Sequence, residues 1–160
     1  GDVVKALMKS GVMATANLDI SEKLDIIVKR GDSMNITLKF TESNGSATDL
    51  SSYTFAMSVK DKRVQGGRSA GINNPVIYEK TILSTNTADL DTGSQITTEI
   101  LNQSPFNEVT FTVDATSMGG VDAGTYVYDI QYTNGSEVRT VLEGLFIVNP
   151  DVAFATGPAI

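Results

Sequence analysis

No cysteine, histidine or tryptophan occurs anywhere in this sequence. The first absence excludes disulfides and thiol nucleophiles; the second removes the commonest general base. Together they take away the usual transition-metal ligands, and carboxylate-pair chemistry is what remains open. Basic residues are scarce, with 12 Lys and Arg against 19 Asp and Glu, a net charge of −7. The longest basic stretch is Lys60-Asp61-Lys62-Arg63. A nucleic-acid face needs a Lys/Arg cluster, and anionic membrane surfaces need the same, so neither is a predicted partner. No apolar run approaches the roughly 20 residues of a membrane-spanning helix. The N-terminal residues lack a signal-peptide core, because Lys5 and Lys9 interrupt the apolar positions.

What is present reads as β structure. Met34, Ile36, Leu38 and Phe40 alternate with Asn35, Thr37 and Lys39, the pattern of a half-buried strand. Leu24, Ile26 and Val28 form a weaker alternation before the turn Arg30-Gly31-Asp32, and Tyr53, Phe55, Met57 and Val59 form another. Further strands are predicted at Val76–Leu83, Glu108–Val113, Tyr126–Thr133 and Glu137–Val148, with a weaker strand or short helix at Gln95–Leu101 and a single helical turn at Thr116–Met118. Asn44-Gly45 and Asn134-Gly135 are turn signals. The spacing predicts an all-β, antiparallel sandwich of seven to eight strands in one domain. A chain of 160 residues buries roughly 68–70% of its unfolded surface and needs no covalent staple.

The first 20 residues differ. Val3, Val4, Leu7 and Met8 lie at helix-compatible spacing, which predicts at most two turns before Gly11. Residues 1–20 are therefore read as an arm outside the sandwich of residues 21–150, and residues 151–160 as an extended tail after Pro150. Exposed apolar side chains on an arm need a cover. Val3, Val4, Leu7, Met8, Val12 and Met13 are the predicted partner-binding residues.

Several local patterns invite a functional reading, and each has a plainer one. Arg30-Gly31-Asp32 spells an adhesion tripeptide, but a tight turn explains it fully. Asp89, Asp91 and Gly93, with Glu99 beyond, have a partial calcium-loop look and lack a third ligand before the glycine. The glycine-rich loop 61–74 lacks phosphate-loop spacing. Sequons at Asn35, Asn44, Asn102 and Asn134 follow from a Ser/Thr/Asn-rich composition. Tyr126, Tyr128 and Tyr132 share one strand face, a stripe that either stacks on sugars or fills the core.

The heptad Asp122-Ala123-Gly124-Thr125-Tyr126-Val127-Tyr128 has the form D-x-G-x-Y-x-hydrophobic. It resembles the opening of the penultimate strand of immunoglobulin-like (Ig-like) sandwiches, whose Tyr folds over a corner onto upstream backbone. Asp122, Gly124 and Tyr126 are its structural-corner residues. Together with Lys29–Phe40, Thr48–Lys60 and Arg139–Pro150, the stretch Asp122–Gln131 resembles Ig-like domains of tailed-phage virion proteins. Examples are the N-terminal domain of the baseplate upper protein and attachment domains of tail fibres. The resemblance covers roughly residues 24–150 and carries no catalytic, cofactor-binding or metal residues. It implies a non-enzymatic structural protein located in the virion, with other virion proteins as partners. It also implies a homo-oligomer, with a trimer preferred. The alternative is a carbohydrate-binding or adhesion module using loops 61–74 and 41–52. A hydrolase built on carboxylates is a third reading, with its acids scattered on turns.

Overall fold

The computed structural model describes residues 6–9, 13–65 and 76–150. Eleven strands occur among them: β1 Ala6–Lys9, β2 Met13–Ala16, β3 Glu22–Lys29, β4 Met34–Phe40, β5 Thr54–Gln65, β6 Val76–Ser84, β7 Ser94–Gln95, β8 Thr97–Ile100, β9 Glu108–Val113, β10 Gly124–Asn134 and β11 Glu137–Asn149. An α-helical turn, α1, spans Ala115–Met118 and is capped by Asp114, whose carboxylate accepts from Ser117 N–H, and a 3-10 turn spans Thr87–Asp89.

The strands form two sheets. One has seven strands in the order β1-β3-β11-β10-β5-β6-β7, and the other four in the order β2-β4-β9-β8. Their inner faces share one apolar core, in which Phe40 of β4 meets Phe55 of β5 with ring centroids 5.2 Å apart. Met34, Ile36, Leu38 and Phe40 are all fully buried, as their period-two spacing predicts, whereas Asn35 and Lys39 face water. Burying side chains of this size stabilises by about 1.5–3 kcal/mol each relative to leaving them exposed. Phe55, Met57 and Val59 are buried likewise, and Tyr53 is half-buried.

The sheets are mixed, which corrects the antiparallel expectation, and the strands exceed the predicted seven to eight. β3 runs parallel to β11, β1 to β3, β2 to β4 and β6 to β7. Parallel neighbours need a long crossover. Between β3 and β11 that crossover is most of the chain, a relation no local pattern contains.

The N-terminal expectation changes most. Residues 6–9 form a strand where a helical turn was predicted, in register from Ala6 beside Leu24 to Lys9 beside Ile27. Residues 13–16 pair with Thr37 to Phe40. Ala16 and Leu18 lie in the core, and Thr41 N–H donates to Ala16 C=O at 2.9 Å. So the segment before residue 21 is not wholly an arm outside the sandwich. A helix of two turns is marginal in water, while the open edges of β3 and β4 offer complete ladders of backbone donors and acceptors. Leu7 and Met8 stand on β1 and Met13 opens β2; Val3, Val4 and Val12 lie outside the described residues, as does the tail 151–160. The predicted loop 61–74 begins later than expected, since residues 61–65 continue β5 against β6, and its remainder lies outside the described residues.

Candidate functional site

The corner is built by a short path from β9. α1 buries Met118, and the chain then turns through Gly119 and Gly120 to reach Asp122. Tyr126 Oη donates to the Asp122 carbonyl at 2.7 Å, and its ring is buried. Burial raises the Tyr126 phenol above its ordinary pKa, with Asp122 and Asp61 adding to the effect. Gly124 sits at φ +159°, a backbone conformation that residues bearing side chains rarely adopt, and a Cβ there would meet the Tyr126 ring and hydroxyl at 3.9 Å, an ordinary contact.

Arg30 braces this corner from the β3–β4 turn. Its Nε donates to the Val121 carbonyl at 3.2 Å and Nη2 to the Gly119 carbonyl at 3.4 Å, while Nη2 lies 3.7 Å from the Asp122 carboxylate. The Arg30-Gly31-Asp32 tripeptide is thereby a structural turn, with Gly31 at φ +89° and its arginine committed to its own domain.

The tyrosine stripe faces inward. Tyr126, Tyr128 and Tyr132 are all buried, so they are core and offer no exposed stacking platform. Asp91 is likewise structural: its carboxylate accepts from Thr81 N–H at 2.9 Å, while the Asp91 and Thr92 amides both reach the Thr81 carbonyl. Gly93 lies so close to β6 that an added Cβ would stand 1.9 Å from the Ile82 carbonyl oxygen. The close approach sits where the β5–β6 register shifts. Glu99 lies exposed on β8, in the other sheet. Among the described residues, no group of three or more Asp or Glu could hold a metal ion.

Two arrangements were not visible in the sequence. The first repairs a gap in the β3–β11 ladder. Register holds at Glu143 with Lys23, lapses at Gly144 and Leu145, and resumes at Phe146 with Ile26. In the gap, Tyr128 Oη donates to the Leu24 carbonyl at 2.5 Å, and Asp25 Oδ1 accepts from Leu145 N–H at 3.0 Å. Asp25 is therefore buried, although its place in the alternation put it on the polar face. A Cβ on Gly144 would lie 2.4 Å from the Leu24 carbonyl oxygen, so only glycine fits. Burial pushes the Tyr128 phenol well up, with Asp25 and Glu143 adding to it. The available signal was Gly144 itself, an isolated glycine inside a strand.

The second arrangement is a groove of about 450 Å³ on the outer face of the seven-stranded sheet. Lys23, Glu143, Asp129, Ser58, Lys60 and Glu79 line it from five successive strands. Lys23 pairs with Glu143 at 3.3 Å and Lys60 with Glu79 at 3.1 Å. Asp129 is opposite Glu143 in register. Burial raises the Asp129 carboxyl above its ordinary pKa, against the pull of Ser58 and Lys60, and Glu143 raises it further. Raised carboxyls in clefts are general-acid candidates, but ion-pair networks on sheets give the same shift. Ser58 Oγ donates to Asp129 Oδ1 at 3.4 Å, so the hydroxyl and the raised carboxyl stand together within the paired charges of the groove.

No protein-family model and no curated protein sequence matches this chain. Among solved structures, the N-terminal domain of phage TP901-1 ORF48 aligns with 90% of this chain and 98% of its own length, at 8% sequence identity and a TM-score of 0.38.

Proposed function

We propose that this chain is a non-enzymatic structural module of a bacteriophage virion, an Ig-like adaptor held to neighbouring virion proteins through its terminal segments. The observation that carries the reading is where the virion-protein-like stretches fall. Lys29–Phe40 becomes the turn and β4, Thr48–Lys60 leads into β5, and Asp122–Gln131 with Arg139–Pro150 becomes the corner, β10 and β11. β5, β10 and β11 are immediate neighbours in one sheet.

The strand order supports the Ig-like part. β4, β9 and β8 take the places of B, E and D in an Ig sandwich; β11, β10, β5 and β6 take those of G, F, C and C′. Tyr126 then stands near the start of F and bonds backbone four residues upstream, the arrangement of a tyrosine corner. Ala6 and Asn149 supply the adaptor geometry. Ala6 is level with Leu24 and Asn149 with Lys29, so the two lie toward opposite ends of the sheet. A domain of this kind transmits position between partners, and a homotrimer is the preferred assembly.

Mass spectrometry of purified virions of the encoding phage tests the reading. The chain is expected in intact particles at the copy number of a ring or spike component, and light scattering of the isolated chain is expected to give a trimer. Absence from washed particles rejects the virion role; a monomer rejects only the assembly.

A further inference from the structure

The loops joining the strands at one end of the domain meet around a cleft of about 470 Å³. Strand register fixes which end this is, because Thr133 is level with Thr54, Asn134 with Glu137, and Ala16 with Phe40. The corner, Arg30 and Asn149 are at the opposite end. Asn17, Asp19, Glu42 and Asn44 form the cleft's rim, and Tyr53 and Tyr132 its floor. The two rings meet edge to face with centroids 5.2 Å apart, and Tyr132 is buried while Tyr53 keeps part of its surface open.

We propose that this cleft binds a neutral saccharide. The polar groups of the rim are sorted by two local turns. Asn17 Oδ1 accepts from Asp19 N–H at 2.8 Å, and Asn44 Oδ1 accepts from Ser46 N–H at 2.9 Å. Each turn uses the amide oxygen and leaves the NH2 group as a donor. The carboxylates of Asp19 and Glu42 are acceptors only when ionised. A rim that presents both fixed donors and ionised acceptors matches vicinal hydroxyls, which donate and accept in turn. The open part of Tyr53 supplies apolar surface for the C–H face of a sugar ring. No lysine or arginine lines the cleft, and the cation next to it, Arg139, is paired at 2.8 Å with Glu137, a third carboxylate of the lining, so the cleft has no uncommitted cation for a phosphate, sulfate or uronate. The outer-face groove, lined by Lys23, Lys60 and Lys62, differs in this respect. The cleft's volume lies within the few hundred to about 1,000 Å³ typical of ligand sites. Its open form predicts weak single-site binding, with a Kd of about 1 mM.

Titrating the isotope-labelled full chain with neutral oligosaccharides of glucose, galactose, rhamnose, N-acetylglucosamine and N-acetylgalactosamine tests the proposal by NMR. A glucuronate oligosaccharide and tetralysine serve as anionic and cationic arms. At least one neutral sugar is expected to shift the amide resonances of Asn17, Asn44 and Tyr53 saturably. Tyr53→Ala and Asn44→Ala are each expected to weaken that binding about fivefold or more, a loss of about 1 kcal/mol, with thermal midpoints serving as the folding control. Silence from every neutral sugar overturns the proposal, as does a response to tetralysine alone, which would assign the cleft to a basic partner segment. Undiminished binding by both variants overturns it too. Virion incorporation does not enter the readout, so the structural role and the saccharide site fail independently.

Discussion

Asp129 on β10 and Glu143 on β11 are register partners, so two carboxylates stand side by side on the outer face of the larger sheet. Like charges directly opposite on neighbouring strands are destabilising. Lys23 beside Glu143 offsets part of the repulsion; the Asp129 carboxyl, half-buried, is raised chiefly by its burial, with Glu143 adding to the effect.

The sign of the pH effect follows. A carboxyl raised in the folded state binds its proton more tightly there than in the unfolded chain. Its penalty is fully present above the raised folded value and is relieved as pH falls toward the ordinary Asp value. Asp129→Asn is therefore expected to stabilise the domain at pH 7, by about 0.2–1 kcal/mol. Calorimetric unfolding midpoints across the acidic range check it: the advantage over the parent should shrink as pH falls through the window between the folded and ordinary values. An advantage independent of pH would assign it to something other than charge.

The two hydrogen-bonded tyrosines should differ. Tyr126→Phe leaves the carbonyl of an exposed residue, Asp122, which water can re-satisfy, so the expected cost is about 0.5–1.5 kcal/mol. Tyr128→Phe strands the half-buried Leu24 carbonyl inside a ladder gap and should cost about 1–3 kcal/mol. Urea unfolding of the two variants ranks them, and an equal or reversed ranking contradicts the account of the gap.

Glycines give a second ranking. Gly144→Ala forces a methyl against the Leu24 carbonyl and should cost about 3 kcal/mol, at the upper end for overpacking. Gly31→Ala meets nothing within 4 Å and suffers only from its positive φ, a cost of about 1–2 kcal/mol. Chemical denaturation distinguishes them.

Removing residues 1–20 tests the N-terminal strands. The deletion strips Ala16 and Leu18 from the core and bares the edges of β3 and β4. Losing a buried Leu alone costs about 2 kcal/mol, and open edges promote association between copies. The truncated chain is expected to unfold at lower temperature and to aggregate earlier. An unchanged midpoint would show that β1 and β2 contribute nothing to the folded domain.

Strands with an unbroken period of two were legible from alternation alone, even where the partner strand is far away in sequence. β4 and β9 show this: each apolar residue of Met34–Phe40 and of Val109, Phe111 and Val113 is buried. The Asp129–Glu143 pair was not legible, and a single residue explains why. From the turn at Asn134 and Glu137, a regular hairpin would set Asp129 opposite Leu142. The register shifts between Ile130 and Gln131, where Val141 is inserted, and beyond it every partner moves by one. Val141 and Leu142 are consecutive and both buried, which breaks the period-two rule that sequence reading depends on. Asp25 was misplaced for a related reason: its burial depends on Leu145, 120 residues away. The end cleft escaped notice because it gathers Asn17, Glu42, Tyr53 and Tyr132 from separate loops and strands, none with a distinctive local pattern.

The parallel pairing of β3 with β11 has a mechanical consequence. The chain enters β3 at the cleft end and leaves β11 at the corner end. Tension applied at those two points slides one strand along the other. The rungs between Glu22 and Lys29 then bear load together, whereas a hairpin pulled from its open end unzips one rung at a time. The side-chain bonds from Tyr128 and Asp25 lie within this loaded stretch and bridge its interruption. The domain is thus built to hold its length under stretch along the strands and to yield more readily when peeled from the side.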